Sequence, residues 1–251
     1  MSGKPWNSDT LALVSNNAPK IAAVSATLGV LPSATIVGVA RERTRPDPLA
    51  QAKQIFVGLL LSKNEAALEA DWKVDKDRIL NPAKYGDKQN YMETRRDLLD
   101  VLTYDIGPGS IDVRRALLEL DKYRGTSLGK SLGLDQYDGK LTNFVRDLND
   151  TNNPQLTITI AGLLARDAQV FFTTGAGKAF FAVGQSWDTL SAEDKTALTA
   201  SYYLQGEENI IDKISAGKYK SLVPGKDDGV AYAKGGTPYI FFHRFLNSNP
   251  R

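Results

Sequence analysis

Three carboxylates of this chain are candidates for acid–base chemistry: Glu42, Asp47 and Asp105. Glu42 stands out because it ends a stretch that is almost free of charge from Pro32 onward. Pro32 starts a predicted helix and Pro46 stops it, so Glu42 lies near the helix C-terminus, beside the small or apolar Gly38 and Val39. Partial burial and the negative end of the helix dipole both favour a protonated carboxyl group there. A general acid needs that form.

The same segment supports a simpler interpretation. Arg41, Arg43 and Arg45 flank Glu42, and a glutamate among arginines is commonly one member of a solvated charge cluster. Nearby cations also favour the ionised carboxylate, which is the opposite of what a general acid needs. The segment by itself leaves both interpretations open.

A second candidate region is the turn around Gly107 and Gly109, which is followed at once by Ser110 and a predicted helix. Two glycines around a proline allow a tight turn in which the backbone approaches a ligand closely. We therefore take these three residues as candidate substrate contacts. The alternative is an ordinary junction between a loop and a helix.

A third candidate region is a helix end that carries Tyr202 and Tyr203 ahead of Gly206. Glycine commonly caps a helix C-terminus, so Gly206 is predicted to end the helix. The two tyrosines are candidate substrate contacts. Core packing is the competing explanation for both.

Composition narrows the classes of function. The net charge is +2, hydrophobic residues make up 42% of the chain, and there is no cysteine. The mild basicity suits an anionic polymer such as a bacterial cell wall and argues against nucleic acid as a partner. The lack of cysteine excludes disulfides and thiolate chemistry. The single histidine, His243, excludes histidine-rich metal sites and is expected to be structural.

Sequence patterning predicts a mainly helical protein with a minor β component, in a single domain that covers residues 1–251. A short hairpin is predicted near 100–113 and extended segments near 230–245. The predicted helices are 18–28, 33–44, 47–70, 91–102, 110–123, 138–149, 154–172, 191–205 and 207–216.

Location is predicted from what the sequence lacks. The N-terminal residues do not have the pattern of a signal peptide, and the longest apolar stretch, Ile55 to Leu61, is too short to span a bilayer. We expect a protein that is made in the cytoplasm without a signal peptide and does not insert into membranes.

Two groups of acidic residues outside the three regions carry oxygen ligands of the kind that hard cations prefer. The candidate ligands of a hard cation are Asp71, Asp75 and Asp77 in one group and Asp227 and Asp228 in the other. Their spacing is not that of a calcium loop, so we expect these side chains to form solvated surface. No metal site is predicted.

The order of the three regions resembles that of the goose-type lysozyme and soluble lytic transglycosylase family. In that family a Gly-Val-x-Pro helix ends in the catalytic glutamate, a glycine-rich turn leads into a helix, and a Tyr-Asn-x-Gly helix end follows. The corresponding segments here are 29–42, 107–111 and 202–206, and 148–158 is similar to a further helix start. The resemblance covers about 30–206, and 207–251 would be a C-terminal extension. Ser110 and Tyr203 depart from the family's glutamine and asparagine.

Within the family the chain is most similar to the muramidase effectors that bacteria deliver through type VI secretion. The resemblance implies an α+β lysozyme-like fold, a helical bundle around a substrate cleft. It also implies cleavage of the β-1,4 bond between N-acetylmuramic acid and N-acetylglucosamine, with Glu42 as general acid and Asp105 or Asp47 as second carboxylate. A lytic transglycosylase that forms anhydro-muropeptides and a catalytically inert peptidoglycan-binding protein are the alternatives.

The resemblance has further implications for partners and location. The protein would bind peptidoglycan glycan strands and act in the periplasm of a target bacterium. A cognate immunity protein and a component of the secretion system would be its protein partners. No cofactor is required, although calcium is left open because effector muramidases of this kind use it.

Overall fold

The computed structural model describes residues 7–44, 57, 65–85, 100–181 and 184–215. These residues are mostly helical, as predicted. The chain divides into two compact units: the first comprises 1–44 and 161–251, and the second comprises 45–160. The prediction of a single domain is not tested by this division.

The described helices and strands follow one another in this order: α1 (Ser8–Asn16), α2 (Ala18–Leu28), α3 (Pro32–Thr44), α4 (Glu65–Leu80), β1 (Asp105–Ile106), β2 (Ile111–Asp112), α5 (Val113–Tyr123), α6 (Ser127–Ser131), α7 (Leu141–Asn149), α8 (Gln155–Thr173) and α9 (Ala192–Ser215). Short 3-10 helices lie at Pro82–Tyr85, Val101–Thr103, Leu134–Tyr137, Ala176–Phe180 and Trp187–Thr189.

Helix α3 is central to the first unit. Gly29 ends α2 in the left-handed conformation, with φ of 67°, and Pro32 then begins α3, because proline fits the first helical turn. Every residue from Ser33 to Ala40 is buried. Such burial on all sides requires neighbours all around the helix, and α1, α2 and α9 pack against it.

Small and hydroxylic side chains bring these helices close together. Ser25 on α2 and Thr35 on α3 share a buried hydrogen bond of 2.7 Å between hydroxyl groups. Ser33 on α3 and Thr196 on α9 share another of 2.8 Å. A Cβ atom at Gly162 of α8 would meet Val24 of α2 at 2.6 Å, so this close contact between helices requires glycine.

An aromatic cluster fills the rest of the first unit's core. Phe172 stacks on Trp187 with ring centroids 5.7 Å apart and an angle of 8° between the rings. Phe180 packs against Phe172 edge-on, at 5.8 Å. Such aromatic pairs stabilise a core beyond the area that they bury.

The second unit is built on α4, α5 and α7 around a two-stranded hairpin. In the antiparallel pair β1–β2, Asp105 faces Asp112 and Ile106 faces Ile111. The apolar face of α5 is buried, and Trp72 of α4 donates a 2.9 Å hydrogen bond to Asp121 on α5. The Glu65 carboxylate caps α7 by accepting hydrogen bonds of 3.0 and 3.1 Å from the Thr142 amide.

Most of the described predicted elements are confirmed. Predicted helices 18–28, 33–44 and 154–172 match α2, α3 and α8 to within a residue, and the hairpin lies inside 100–113. Predicted helices 110–123 and 138–149 begin three residues later than predicted, at α5 and α7.

Some predictions need correction or lie outside the described residues. Helix α1 and the part of α4 from residue 71 onward were missed, and Val101–Thr103 is a 3-10 helix. The last two predicted helices form one element, α9, in which Gly206 has a non-helical backbone conformation (φ 72°, ψ 169°). The described residues do not include most of 47–70 and 91–102, the extended segments near 230–245 or His243.

Helix α8 is long and apolar enough to span a bilayer by composition, but 72% of its most apolar window is buried. A core helix of a folded protein has the same properties.

Candidate functional site

The first candidate residue, Glu42, lies where α3 leaves the core. The eight residues before Arg41 are buried, whereas the side chain of Glu42 is 18% exposed. The carboxylate is thus held on a rigid, packed helix and still reaches solvent. This is the position that the sequence predicted, at the edge of the core near the helix end.

The arginines next to Glu42 interact with it directly. Nη1 of Arg41 donates a 2.6 Å hydrogen bond to Oε1 of Glu42, in an ion pair that is largely shielded from solvent. The Arg43 side chain is partly buried, and its Nε atom has no hydrogen-bond partner in the part of the chain that the structure describes. The charge-cluster interpretation of Glu42 therefore has a structural basis as well.

The third region meets the helix of the first. Gly38 lies one turn before Glu42 on the same face of α3. A Cβ atom at Gly38 would overlap the ring of Tyr203, so this ring lies directly against the α3 backbone. The fold thus brings Tyr203 to the helix face that carries Glu42.

Tyr202 has a different environment. It is 7% exposed and its ring lies 5.5 Å from that of Phe171 in the aromatic core. The competing explanation from the sequence, core packing, describes Tyr202. Its role as a substrate contact stays a prediction that this burial disfavours.

The second region is a tight turn in the second unit. Gly107 has a φ of 72°, and its amide donates to Oδ1 of Asn149 at 3.3 Å. A Cβ atom at Gly107 would overlap the carbonyl oxygen of Leu148. Glycine is therefore required here by packing against the end of α7. The predicted close approach of this turn to a ligand stays a prediction.

Ser110 closes this turn. Its amide donates to the Gly107 carbonyl oxygen at 3.2 Å. Ser110 is the one described residue other than glycine with a positive φ, at 46°. Such a conformation costs roughly 1 kcal/mol or more for an L-residue and is concentrated at functional positions.

The hairpin carries a pair of carboxylates. Asp105 is partly buried and faces Asp112 across the two strands. Burial raises the pKa of Asp112 above its ordinary value, against the opposing effect of Arg114 and of the Arg115 amide, which donates to Oδ1 at 3.0 Å. Asp112 thereby caps the N-terminus of α5.

Sequence analysis did not single out Asp112 or its neighbour Arg114, whose side chain is fully buried and lies 3.5 Å from Asp112. The signal for Asp112 was present, because an aspartate immediately before an amphipathic run is typical of a helix N-cap. Nothing local in the sequence indicates that Arg114 is buried.

The acidic residues of α4 correct one prediction. Asp75 is 5% exposed, so the expectation of a solvated surface is wrong for this residue. Asp77 binds Lys84 at 2.6 Å, Asn81 at 2.8 Å and also Tyr85. These hydrogen bonds, that from Lys84 first, lower the pKa of Asp77 to about 2. The described residues contain no group of three or more potential metal ligands; Asp227 and Asp228 lie outside them.

The second carboxylate stays a prediction. Asp105 belongs to the second unit and Glu42 to the first, and Asp47 lies outside the described residues. Gly109 lies in the turn between β1 and β2, and its role as a substrate contact stays a prediction.

Comparison with known proteins gives no family assignment. No protein-family model, no curated protein and no solved structure matches the chain. The resemblance to goose-type lysozymes and soluble lytic transglycosylases therefore rests on the residues quoted above and stays a prediction.

Proposed function

We propose that this protein cleaves the glycan strands of peptidoglycan, as a muramidase, with Glu42 as the general acid. The observation that carries the proposal is the contact of Tyr203 with Gly38, one turn before Glu42. Two regions that are separated by about 160 residues in the sequence meet on one helix face. The family pattern combines the catalytic helix with this helix end in one site, so the contact supports the proposal.

The environment of Glu42 supports the proposed role. A catalytic carboxyl group must be held firmly and must reach its substrate, and Glu42 lies on a buried helix with its side chain 18% exposed. It would donate its proton to the glycosidic oxygen as the bond breaks. The Arg41 ion pair fixes the carboxylate in the free protein, and we propose that the bound glycan displaces this guanidinium.

The attack of water on the sugar requires a second catalytic group besides Glu42. In an inverting hydrolase, a carboxylate roughly 6.5–9.5 Å from the acid activates water. Asp105 and Asp47 are the proposed candidates. Without such a group, attack by the muramyl hydroxyl gives the anhydro product of a lytic transglycosylase. Mass spectrometry of the released fragments distinguishes these outcomes, because the anhydro product is lighter by one water.

The substitution Glu42→Gln tests the acid. It keeps the shape of the side chain and removes the proton donor, so release of fragments from purified peptidoglycan should fall by at least ~100-fold. Glu69→Gln is the matched control, since Glu69 is an exposed glutamate on α4 and its loss should leave the rate unchanged. Retained activity in Glu42→Gln would contradict the assignment.

The ion pair favours a second candidate function. Arg41 lies 2.6 Å from Glu42, and a carboxylate neutralised in this way suits a catalytically inert peptidoglycan-binding protein. Sedimentation of the protein with peptidoglycan, combined with the release assay, separates the two functions. Binding without any released fragment supports the inert protein and overturns the muramidase.

The wider setting also remains a proposal from the resemblance. The protein would act in the periplasm of a target bacterium, and an immunity protein would protect the producing cell. Loss of activity on addition of a chelator, and its return with calcium, would test the use of calcium.

A further inference from the structure

The first unit contains a cavity at the opposite end of α3 from Glu42. Its volume is about 250 Å³. Ala34 of α3 lines it, and Glu42 is eight residues further along the helix, or about 12 Å at the rise of an α-helix. The cavity is therefore a separate site from the proposed catalytic position.

Apolar and polar groups both line this cavity. The apolar part comes from the α2–α3 turn, α3, α8 and the 3-10 helix at Trp187, and the polar part comes from α8, α9 and that 3-10 helix. The lining residues are Gly29, Val30, Leu31, Ala34, Ala165, Gln169, Trp187, Asp188, Lys195 and Thr199. The walls come from well-packed elements, because Ala34, Ala165, Trp187 and Thr199 are all at least nine-tenths buried.

The volume limits what the cavity can hold. A water molecule occupies about 30 Å³ of liquid, so the cavity has room for roughly eight waters. Sites for drug-sized ligands have volumes of about 300–1,000 Å³. The occupant is thus one small molecule and not a chain of sugar units.

The charges indicate the chemistry of that molecule. Lys195 and Asp188 bring one positive and one negative group to the same cavity. The ammonium group of Lys195 donates to the backbone oxygen of Asp188 at 3.5 Å. Among the described residues, neither side chain forms an ion pair, so the two opposite charges border the cavity without neutralising each other. A ligand with both charges is complementary to them.

The remaining lining supplies the rest of a binding site. The Gln169 amide provides both a donor and an acceptor. Val30, Leu31 and the indole of Trp187 provide an apolar surface for a short side chain. An apolar cavity with a few placed polar groups is the usual form of a small-molecule site.

We propose that this cavity binds a free α-amino acid with a small apolar side chain. Its carboxylate binds Lys195, its ammonium group binds Asp188 and its side chain contacts the apolar wall. The proposal is independent of the proposed muramidase activity, because it does not involve Glu42.

Calorimetric titration of the full chain with L-valine tests the proposal, with D-valine as a second probe for stereoselectivity. Saturable binding of L-valine at one site is expected. Valine methyl ester lacks the carboxylate and N-acetylvaline lacks the ammonium group, and each should bind at least ten-fold more weakly. Saturable binding of N-acetylglucosamine with no binding of valine would overturn the proposal in favour of a sugar site.

Variants locate the site. Lys195→Gln should weaken valine binding at least ten-fold and should abolish the preference for valine over its methyl ester. Asp188→Asn should weaken valine binding at least ten-fold and should abolish the preference for valine over N-acetylvaline. Lys178→Gln is the matched control, since Lys178 is an exposed lysine of the same unit outside the cavity. Its affinity should stay within two-fold of the unchanged protein.

Two further measurements keep the test decisive. Circular dichroism of each variant must match that of the unchanged protein. If Lys195→Gln does not fold, the binding of valine and of its methyl ester to the unchanged protein tests the role of the carboxylate instead. Glu42→Gln should bind valine normally, so failure of the muramidase proposal leaves this result unaffected. Equal binding of valine to Lys195→Gln and to the unchanged protein would overturn the assignment of the cavity.

Discussion

At the scale of single residues, two glycines of the second unit share a left-handed backbone conformation but differ in their surroundings. Gly107 and Gly125 both have a positive φ, of 72° and 77°. Only Gly107 also lies against another part of the backbone, the carbonyl oxygen of Leu148. A Cβ atom at Gly125 would meet nothing within 4 Å.

This difference predicts unequal costs for two identical substitutions. Gly125→Ala should lower the free energy of unfolding by about 1–2 kcal/mol, the cost of a left-handed conformation for an L-residue. Gly107→Ala should cost at least ~2 kcal/mol more, because the methyl group must also displace packed backbone. Urea denaturation of both variants measures the difference, and equal costs would contradict the close approach.

The carboxylate of Asp77 predicts a dependence of stability on pH. Its pKa is lowered to about 2 from an ordinary value of 3.8, so the folded state binds this proton less readily than the unfolded state does. The stabilisation is present above pH 3.8 and is lost as the pH falls through about 2. Asp77→Asn should therefore be less stable than the unchanged protein near neutral pH, and the difference should shrink towards pH 2.

Denaturation at a series of pH values measures this effect. Asp71→Asn serves as the control, since Asp71 is an exposed aspartate on the same helix. A stability difference for Asp77→Asn that does not vary with pH would show that its hydrogen bonds do not depend on charge.

At the scale of elements, α3 and α9 pack so closely that there is no room for a methyl group at Gly38 beside the ring of Tyr203. Gly38→Ala should destabilise the protein by about 1–3 kcal/mol, as overpacking of a core commonly does. In a Tyr203→Ala background the same change should be neutral or stabilise by up to ~1 kcal/mol, since alanine is the better helix former. The sign reversal in a double-mutant cycle tests the contact on which the proposed function rests.

Prediction from sequence succeeded for elements with strong local signals. The bounds of α2 and α3 followed from Gly29 and Pro32, whose backbone preferences hold in any context. The part of α4 beyond residue 70 was missed because residues 65–80 do not separate into a clear polar and apolar face. Tertiary packing stabilises this helix, and its sequence carries no clear helical period. The break at Gly206 was predicted correctly because glycine's freedom to adopt a positive φ is a local signal, although α9 continues beyond it.

The candidate site was predictable only in part. The position of Glu42 at the edge of the core followed from local sequence, and so did the turn at Gly107. The contact of Tyr203 with Gly38 joins residues that are distant in the chain, and no local pattern contains that information. The burial of Asp75 and Arg114 likewise depends on tertiary packing.

At the scale of the whole molecule, the two compact units predict unfolding in two steps. Gly206 has a conformation open almost only to glycine, with φ of 72° and ψ of 169°, so Gly206→Ala should cost about 1–3 kcal/mol within the first unit. Gly107→Ala should act within the second unit. Calorimetry should show each variant lowering a different transition. One transition that both variants lower equally would instead support the predicted single domain.

The division of the first unit between two separate stretches of chain affects its synthesis on the ribosome. Residues 45–160 are made after α1, α2 and α3 and before α9, which packs against α3 in the finished fold. At about 5–20 residues per second, the nascent α3 waits on the order of ten seconds for α9. During that interval Val37 of α3 lacks its partners Leu198 and Tyr202 of α9, with which it forms one hydrophobic cluster in the finished fold. Slower translation of the central segment would lengthen the time for which this apolar surface of α3 is uncovered, and we expect aggregation of the nascent chain to increase with it.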